Sequence, residues 1–385
     1  MPQTEALRVG FIVGSLVQGG AEKQLVYLVK ALAQAGVQVR LFTLTRGEYY
    51  DAILRNAGFD MVWIGQRGSP LLRIGALASA VRHYRPHFLQ SSCYFVNLYT
   101  ALVSWLSGAV SIGSIRNDAY LEMAYSGRWG KLLLKTPRAL LVNSHQAARN
   151  TVALGAASEK VHVLLNGIDL QGFDKSLHET DTGSGLVEAM MVCRLVSEKR
   201  VDRFLWALSE ARKRCPNLHG TIVGDGPERK SLQGKAEELG LLPEGVVFRG
   251  RRDDVPSLLQ KADMFVVASD HEGFPNVILE AMAARLPVIT TCAGDAPEIV
   301  QDGFTGFVVQ DENLLLDRMV YLAREPALRQ QLGQAGRQRV ESLYSTEHLA
   351  ANMLQIYAAL ASRHKKMGLI QVVEAQLARL QPAAG

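Results

Sequence analysis

Short runs of β-branched and other apolar residues alternate with longer helical patterns along most of the chain, and this alternation constrains the fold most. The pattern predicts a first series of strands at residues 8–13, 37–44, 61–64, 87–91, 110–115, 139–143 and 161–165. A second series is predicted at residues 187–193, 218–224, 246–250, 264–268, 287–291 and 306–309. Strands that alternate with helices form parallel sheets covered on both faces. The sequence therefore predicts an α/β chain with two doubly wound, Rossmann-like domains.

A polar, Gly- and Ser-rich run at residues 176–185 interrupts this alternation, as an interdomain linker does. A chain of 385 residues is too long for one ordinary core and suits two domains. We predict an N-terminal domain at residues 1–175, a linker at 176–186 and a C-terminal domain at 187–345. Ligands of such sheets bind beyond the carboxyl ends of the strands, so we expect the site in a central cleft that the two domains face.

Three helical segments are predicted to close the chain, at residues 325–341, 346–361 and 366–380. Within the terminal segment 346–385, the first helix is expected to cross back to the N-terminal domain. The last helix follows a basic patch and carries apolar residues at helical spacing: Ile370, Val373, Leu377 and Leu380. It either docks on its own domain, which we favour, or binds a membrane surface or a partner.

The net charge of +5 comes from the first half of the chain. Residues 1–175 contain 18 Lys+Arg and 10 Asp+Glu, a balance of +8, whereas the remainder contains 24 and 27, a balance of −3. Because no Lys/Arg block is concentrated there, this half fits attraction to an anionic membrane or substrate better than DNA binding. Solubility alone also explains it. No nucleic-acid partner is predicted.

Composition and hydropathy exclude several classes of protein. A hydrophobic fraction of 48% excludes wholesale disorder, and four scattered cysteines without a C-x-x-C pair imply neither a zinc knuckle nor a disulfide framework. The uncharged stretch 88–115 is long enough to cross a bilayer, but its polar residues favour a buried strand, helix and strand. The first apolar run is too short for a secretory signal. We expect a cytoplasmic protein, with the inner face of the membrane as a candidate location.

The turn after the first predicted strand contains Gly19 and Gly20 at the start of a helix. It matches neither the Gly-x-Gly-x-x-Gly nor the Gly-Lys-Ser/Thr fingerprint, so a dehydrogenase and an ATPase are disfavoured. Glycines at a helix start allow close backbone approach, and free N–H groups there can hold an anion. Such glycines are also often only structural, and both interpretations stand.

Charged residues follow two predicted strands of the C-terminal domain. Arg194 and Lys199 come just beyond strand 187–193, where two cations can neutralise a diphosphate without a metal. The alternative is that they belong to a solvated loop with no ligand. Glu272 follows strand 264–268 in a turn, and Glu280 lies about 8 Å along the axis of the helix that begins near Pro275. The distance between the two carboxylates suits a diphosphate that lies between two sugars. Carboxylates accept hydrogen bonds well from the hydroxyl groups of sugars.

These segments resemble the family 4 retaining glycosyltransferases with the GT-B fold (glycosyl transferases group 1). The resemblance covers about residues 8–361, and its motifs are Gly19-Gly20-Ala21-Glu22, Asn166-Gly-Ile-Asp169, Cys193-Arg-Leu-x3-Lys199, Gly224-Asp-Gly-Pro227 and Glu272-x7-Glu280. It implies transfer of a hexosyl-type unit from a nucleotide-diphosphate sugar, a UDP-sugar more than a GDP-sugar. The acceptor implied is a saccharide or lipid-linked saccharide, in polysaccharide or glycolipid biosynthesis.

The resemblance also implies roles for the matched positions. Arg194 and Lys199 would bind the diphosphate, Glu280 the ribose and Glu272 the donor sugar. The remaining donor contacts would come from Gly19, Gly20, Arg249, Gly250, Arg251, Gly273, Phe274, Pro275 and Asn276. Cleavage of the anomeric C–O bond develops negative charge on the departing diphosphate, so Arg194 and Lys199 are expected to be catalytic, together with Glu272.

The chain departs from the family pattern in two ways. Many relatives have histidines near the donor sugar, where this chain has Ser-Ser-Cys-Tyr at 91–94 and Arg116-Asn-Asp118. Asp118 is the candidate base on the acceptor side, although capping of the following helix is the role we favour. Arg200 replaces the glycine that often follows the lysine, and we expect it to alter that turn.

No metal site is predicted, because the chain has no Asp-x-Asp pair and Pro86 separates His83 from His87. No cofactor is expected, since the sugar nucleotide is a substrate. Two other functions stay open, a nucleotide-sugar epimerase of similar shape and a non-catalytic sugar-nucleotide binding protein. The scarcity of histidine on the acceptor side disfavours the epimerase.

Overall fold

A computed structural model describes residues 6–66, 68–116, 119–175 and 185–380, and their contacts form two compact units. The first unit contains the described residues up to Gly167 and those from Thr346 onward, and the second is Ile168–Ser345. Residues 168–175, assigned above to the N-terminal domain, belong to the second unit. The predicted linker lies outside the described residues except for its last two positions.

Each unit contains one parallel sheet. The first consists of β1 (Arg8–Val13), β2 (Gln38–Thr43), β3 (Asp60–Trp63), β4 (Phe88–Ser91), β5 (Val110–Ile115), β6 (Ala139–Val142) and β7 (Val161–Val163). The second consists of β8 (Val187–Val192), β9 (Leu218–Val223), β10 (Val246–Gly250), β11 (Met264–Val267), β12 (Val288–Thr291) and β13 (Gly306–Val309). The orders are β3-β2-β1-β4-β5-β6-β7 and β10-β9-β8-β11-β12-β13. All the predicted strands are confirmed.

Helices occupy the connections between the strands. The first unit begins with α1 (Gly20–Gln34), α2 (Tyr49–Asn56), α3 (Pro70–Tyr84), α4 (Asn97–Ser107), α5 (Ala119–Tyr125), α6 (Gly130–Lys135) and α7 (His145–Ala153). The second unit contains α8 (Leu170–Lys175), α9 (Val201–Arg214), α10 (Arg229–Glu238), α11 (Val255–Leu259), α12 (Asn276–Ala283), α13 (Ala296–Ile299), α14 (Glu312–Arg324) and α15 (Pro326–Leu343). The chain then continues into α16 (Thr346–Arg363) and α17 (Met367–Leu380). The three predicted closing helices are confirmed as α15, α16 and α17.

The strand order of the first unit divides its helices between two faces. The chain adds β2 and β3 on one side of β1, and β4 to β7 on the other. Right-handed crossovers therefore place α1 and α2 on one face and α3 to α7 on the opposite face. Phe11 and Ile12, neighbours on β1, accordingly belong to different buried clusters, since side chains alternate across a strand.

Helix α16 covers the face of the first sheet that carries α1. Its fully buried Tyr357 stacks on Phe88 with ring centroids 4.3 Å apart. The Tyr357 hydroxyl donates a hydrogen bond of 3.0 Å to Oε1 of Gln90. This burial explains why α16 belongs to the first unit rather than to the unit that precedes it in sequence.

The last helix, α17, packs on α16 and buries Leu369, Val372 and Val373 in the first unit's core. In the basic patch before it, Nζ of Lys366 donates to the carbonyl oxygen of Gly108 at 2.7 Å. The structure therefore confirms that this helix docks on its own domain.

The uncharged stretch 88–115 forms β4, α4 and β5, as predicted. Within the described ranges, no helix combines the length and the apolar character needed to cross a bilayer.

In the second unit, β8 and β11 are neighbours at the centre of the sheet, and the chain adds strands outward in opposite directions from them. This is a topological switch point, where the loops after two adjacent strands diverge and leave room for a ligand. Arg194 and Lys199 follow β8, and Glu272 follows β11, so the fold brings the three to the same edge.

Candidate functional site

Lys199 and Glu272 form an ion pair at the switch point of the second sheet. Nζ of Lys199 lies 2.7 Å from Oε1 of Glu272, and their side chains are only 21% and 12% exposed. The Ser269 hydroxyl donates to the same carboxylate oxygen at 2.7 Å. Removing either charge would leave the remaining charge largely buried and without its main partner, which costs free energy. An ammonium group has three donors, so Lys199 can hold Glu272 and an anionic ligand together.

Two glycines shape the loop that carries Arg194 and Lys199. Gly224 has φ +132°, and a Cβ there would clash with the carbonyl oxygen of Cys193. A Cβ on Gly226 would clash with the carbonyl oxygen of Leu195. The Leu195 N–H donates to the carbonyl oxygen of Asp225 at 3.0 Å. The Gly224–Pro227 motif therefore supports the Arg194 loop from beneath, a structural role that sequence reasoning missed.

Arg200 adopts the left-handed conformation, with φ 47° and ψ 48°, immediately before α9. Glycine enters this region without strain, whereas another residue pays for it. The Arg200 guanidinium is held by Asp202 at 3.0 Å and Asp270 at 3.1 Å. Hydrogen bonds donated to Asp202 and Asp270 raise the pKa of Arg200. Arg200 therefore takes up the left-handed conformation that glycine favours.

The turn that carries Glu272 is clamped by the loop after β12. Gly294 has φ +56°, and a Cβ there would clash with the carbonyl oxygen of Glu272. The Asp295 N–H donates to the carbonyl oxygen of Gly273 at 3.1 Å, and the Thr291 hydroxyl donates to that of Ser269 at 2.5 Å. A single glycine or hydroxyl residue carries little signal in a sequence. The roles of Ser269, Thr291 and Gly294 in holding this turn are therefore not predicted from the sequence.

Helix α12 begins at Asn276, one residue after the predicted start, and Pro275 precedes it. Phe274 is buried and packs against Tyr344, with ring centroids 6.0 Å apart. Gly273 and Asn276 are partly exposed, as is Glu280 in the second turn of the helix. The turn therefore exposes part of its backbone and part of the Glu280 side chain.

The remaining predicted cations lie at the same edge of the second sheet. Arg194 is exposed in the loop after β8. Arg249 and Arg251 are exposed around the end of the edge strand β10, two strands away from β8. Gly250, with φ +68°, accepts a hydrogen bond from the Gly224 N–H at 2.8 Å. This bond ties the Arg249–Arg251 loop to the Gly224 turn beneath Arg194.

A second group of polar residues lies at the carboxyl edge of the first sheet. The Gly14 N–H donates to the Ser92 hydroxyl at 3.1 Å, and a Cβ on Gly14 would lie 2.7 Å from Sγ of Cys93. Burial raises the pKa of the Cys93 thiol to about 11 and lowers the pKa of Arg116 to about 10. Burial also raises the pKa of Glu122, a residue that sequence reasoning missed. Asp118 lies outside the described residues.

Gly19 and Gly20 stand at the start of α1, with Gly19 as its N-cap. The Ser15 hydroxyl donates to Oε1 of Glu22 at 3.0 Å, and a Cβ on Gly19 would clash with the other oxygen of this carboxylate. A carboxylate in the first turn stabilises the helix dipole. The helix start thus has a local acidic partner, in addition to the backbone room that glycine gives a ligand.

Among the residues that the structure describes, no group of three or more His, Cys, Asp or Glu side chains is placed to hold a metal ion.

Comparison with known families gives a match for each half of the chain. Residues 18–171 match the family model described as Glycosyltransferase Family 4, and residues 178–339 match Glycosyl transferases group 1.

Two curated relatives illustrate the similarity in sequence. The Vi polysaccharide biosynthesis protein VipC/TviE of Salmonella typhi is 37% identical over 143 residues, which are 37% of this chain and 23% of that protein. The lipopolysaccharide core biosynthesis glycosyltransferase LpsE of Rhizobium meliloti is 26% identical over 351 residues, covering 89% of this chain and 96% of that protein. The chain thus spans less than a quarter of the first relative and almost all of the second.

Two solved structures illustrate the similarity in fold. Anabaena Alr3699/HepE in complex with UDP-glucose has a TM-score of 0.76 at 19% identity, with 92% of this chain and 100% of that chain covered. The lipopolysaccharide outer core galactosyltransferase WaaB, in its apo form, has a TM-score of 0.71 at 14% identity, with 94% and 100% covered. At such identities the likeness establishes the shared fold alone.

Proposed function

The chain belongs to the glycosyltransferases, with one half in Glycosyltransferase Family 4 and the other in Glycosyl transferases group 1, and from this premise we propose a retaining hexosyltransferase. Its fold is GT-B, with two Rossmann-like parallel-sheet domains. The proposed reaction moves a sugar from a nucleotide-diphosphate sugar to a saccharide or lipid-linked acceptor in polysaccharide or glycolipid biosynthesis. The Lys199–Glu272 pair at the switch point is the observation that carries the proposal.

In the proposed reaction, Arg194 and Lys199 stabilise the departing nucleoside diphosphate. The anomeric C–O bond breaks as negative charge builds on the phosphate, so cations fixed beside it lower the barrier. Glu272 fixes the position of the Lys199 ammonium group, because Oε1 lies 2.7 Å from Nζ. The backbone N–H groups at residues 273–276 supply further donors at a helix start.

We assign Glu272 to the donor sugar and Glu280 to the ribose. Two carboxylates on one turn and helix can each accept hydrogen bonds from vicinal hydroxyls. The exposed loop at Arg249–Arg251 is assigned to the base, and the glycine pair at α1 to an anionic group of a substrate. These assignments rest on the family resemblance and on the common edge that β8, β10 and β11 share.

A UDP-sugar is the donor we favour. The neighbour HepE was solved with UDP-glucose, whereas a mannosyltransferase relative in Mycolicibacterium smegmatis, 36% identical over 160 residues, is described as GDP-mannose-dependent. The acceptor is proposed to bind the first unit, at the edge that contains Gly14, Ser92 and Arg116. The names of LpsE and VipC/TviE support a cell-surface saccharide as the acceptor class.

A donor screen tests this proposal. UDP-, GDP- and ADP-sugars are compared for thermal stabilisation of the full chain, and the best stabiliser is then assayed for slow hydrolysis and for product stereochemistry. We expect a UDP-sugar to stabilise most and to release a sugar of unchanged anomeric configuration. Conversion of the sugar nucleotide into its epimer would establish an epimerase instead. Binding without any turnover would support the non-catalytic alternative.

A further inference from the structure

The outward surface of α4 is apolar, although the side that faces the protein interior is partly polar. Trp105 is 79% exposed, and Leu102 and Leu106 beside it are 41% and 39% exposed. The buried positions of the same helix include Asn97 and Thr100. A helix on a solvated surface has the opposite pattern, with its apolar stripe inward and charged residues outward.

The neighbours of α4 extend this apolar surface. Of the 22 large apolar side chains that are exposed in the described part of the chain, ten lie in α3 to α6 and the short 3-10 helix Gly127–Trp129. The α3–α6 face is defined here by these ten: Leu71, Leu72, Leu102, Trp105, Leu106, Tyr120, Leu121, Tyr125, Trp129 and Leu132. Helix α4 contacts both α3 and α6, so the residues form one region of the first unit.

The part of this face that contains Trp129 is firmly attached to the first unit. The Tyr94 hydroxyl donates to the carbonyl oxygen of Gly130 at 2.6 Å, and Leu133 and Leu134 of α6 are buried. Trp129 and Leu132 are nevertheless exposed. Since α6 already has an inward apolar side, its outward apolar residues are not needed for the core.

The face is also strongly basic. Helices α3 to α6 and the 3-10 helix Gly127–Trp129 contain five Lys+Arg and one Asp+Glu, a balance of +4. A cavity of about 270 Å³ opens on this face, and its lining includes Tyr120, Arg128 and Lys131. Both cations are exposed, so an anionic group can reach them.

We propose that the α3–α6 face docks on a membrane surface that contains anionic lipid, with headgroups at Arg128 and Lys131. Trp and Tyr side chains favour the interface between headgroups and acyl chains, and Lys or Arg beside them binds anionic headgroups. A second copy of the chain is a poorer occupant, because two identical basic faces repel each other. The proposal concerns binding alone and does not depend on the transfer reaction.

Flotation of the full chain with lipid vesicles, in the absence of substrate, tests the docking. We expect binding to vesicles that contain phosphatidylglycerol, weaker binding to phosphatidylcholine alone, and a decrease with added salt. The double variant Trp105→Ser and Trp129→Ser should bind at least ~10-fold more weakly. Phe304→Ser, at a 57% exposed position of the second unit, is the matched control and should bind like the parent chain.

A second pair of variants tests the cations. Arg128→Gln with Lys131→Gln should weaken binding about fivefold for each charge removed, or roughly 25-fold together. Lys213→Gln with Arg214→Gln removes two exposed cations of the second unit and should leave binding unchanged. The proposal is overturned if the protein binds equally well to vesicles with and without anionic lipid. It is also overturned if the test variants and their control variants bind vesicles equally well. It is equally overturned if light scattering gives a dimer that the Trp105 variant dissociates.

Discussion

Arg200 illustrates how one residue can keep a turn that favours glycine. Its left-handed backbone costs energy, while its guanidinium links Asp202, Asp270 and Glu312 around the start of α9. Arg203 also contacts Asp270 and Glu312, so part of this network survives without Arg200.

Replacement of Arg200 separates the backbone effect from the ion pairs. Both Arg200→Gly and Arg200→Ala lose the guanidinium, but only glycine is free of strain at φ 47°. Arg200→Gly should therefore be more stable than Arg200→Ala by about 1 kcal/mol in urea unfolding. Equal stability of the two variants would show that the turn relaxes on substitution.

The four cysteines should differ in reactivity because of burial. Burial raises the pKa of Cys193 to about 12 and that of Cys93 to about 11, so at pH 8 fewer than about one in 1,000 of these thiols is ionised. Cys292 is exposed. We expect one fast reaction with a thiol-specific disulfide reagent in the native protein, and Cys292→Ser should abolish it. A fast phase that persists in Cys292→Ser would contradict the burial of the other thiols.

At the scale of single elements, the strands were predictable because apolar runs and turn residues follow one another locally. The placement of Lys199 and Glu272 at one edge of the second sheet was predictable for the same reason, since both residues follow recognisable strands. The contacts that support the loops at this edge were not predictable. Gly224 meets Cys193 and Gly294 meets Glu272 across the fold, and such contacts between distant segments leave no local pattern.

Helix α8 is fixed to α15 by an ion pair between Asp174 and Arg337. Nη1 of Arg337 lies 2.7 Å from Oδ1 of Asp174, and the hydrogen bonds that Arg337 donates lower the pKa of Asp174. Because the folded pKa is lowered, this contribution to stability is present above the unfolded pKa of about 3.9 and is lost as pH falls through the folded value.

Asp174→Asn should therefore lower the free energy of unfolding at neutral pH by about 1 kcal/mol, since the aspartate is half exposed and partly screened. The difference from the parent chain should shrink as the pH falls below about 4. Asp317→Asn breaks a more exposed pair with Arg214 and serves as the control, with no measurable change expected. A difference that stays constant down to pH 3 would disprove the linkage.

The boundary between the units was placed about eight residues too late by the sequence. A polar composition marks where a chain lacks core residues, whereas the boundary depends on contacts. Ile168 donates its N–H to the carbonyl oxygen of Tyr344 at 2.8 Å, and Asp174 pairs with Arg337. Residues 168–175 thus join the second unit although they precede the polar run.

Two separate cores predict two separable responses to core mutation. Leu360 of α16 and Leu208 of α9 are fully buried, one in each unit. Truncation of either to alanine should cost its own unit about 2–5 kcal/mol. Hydrogen exchange read by peptide should show faster exchange around β1 for Leu360→Ala and around β8 for Leu208→Ala. Met367→Ala, at a 69% exposed position, is the control, and uniform faster exchange throughout the chain would indicate a single cooperative core.

For the whole molecule, the central claim is that Lys199, held by Glu272, stabilises a departing nucleoside diphosphate. The most direct test is the rate of sugar release from the preferred nucleotide sugar by the parent chain, Lys199→Ala and the control Lys213→Ala. Loss of one preorganised donor should lower the turnover of Lys199→Ala by about 100- to 1,000-fold, and Lys213→Ala should match the parent chain. A correctly folded Lys199→Ala variant with unchanged turnover would contradict the account.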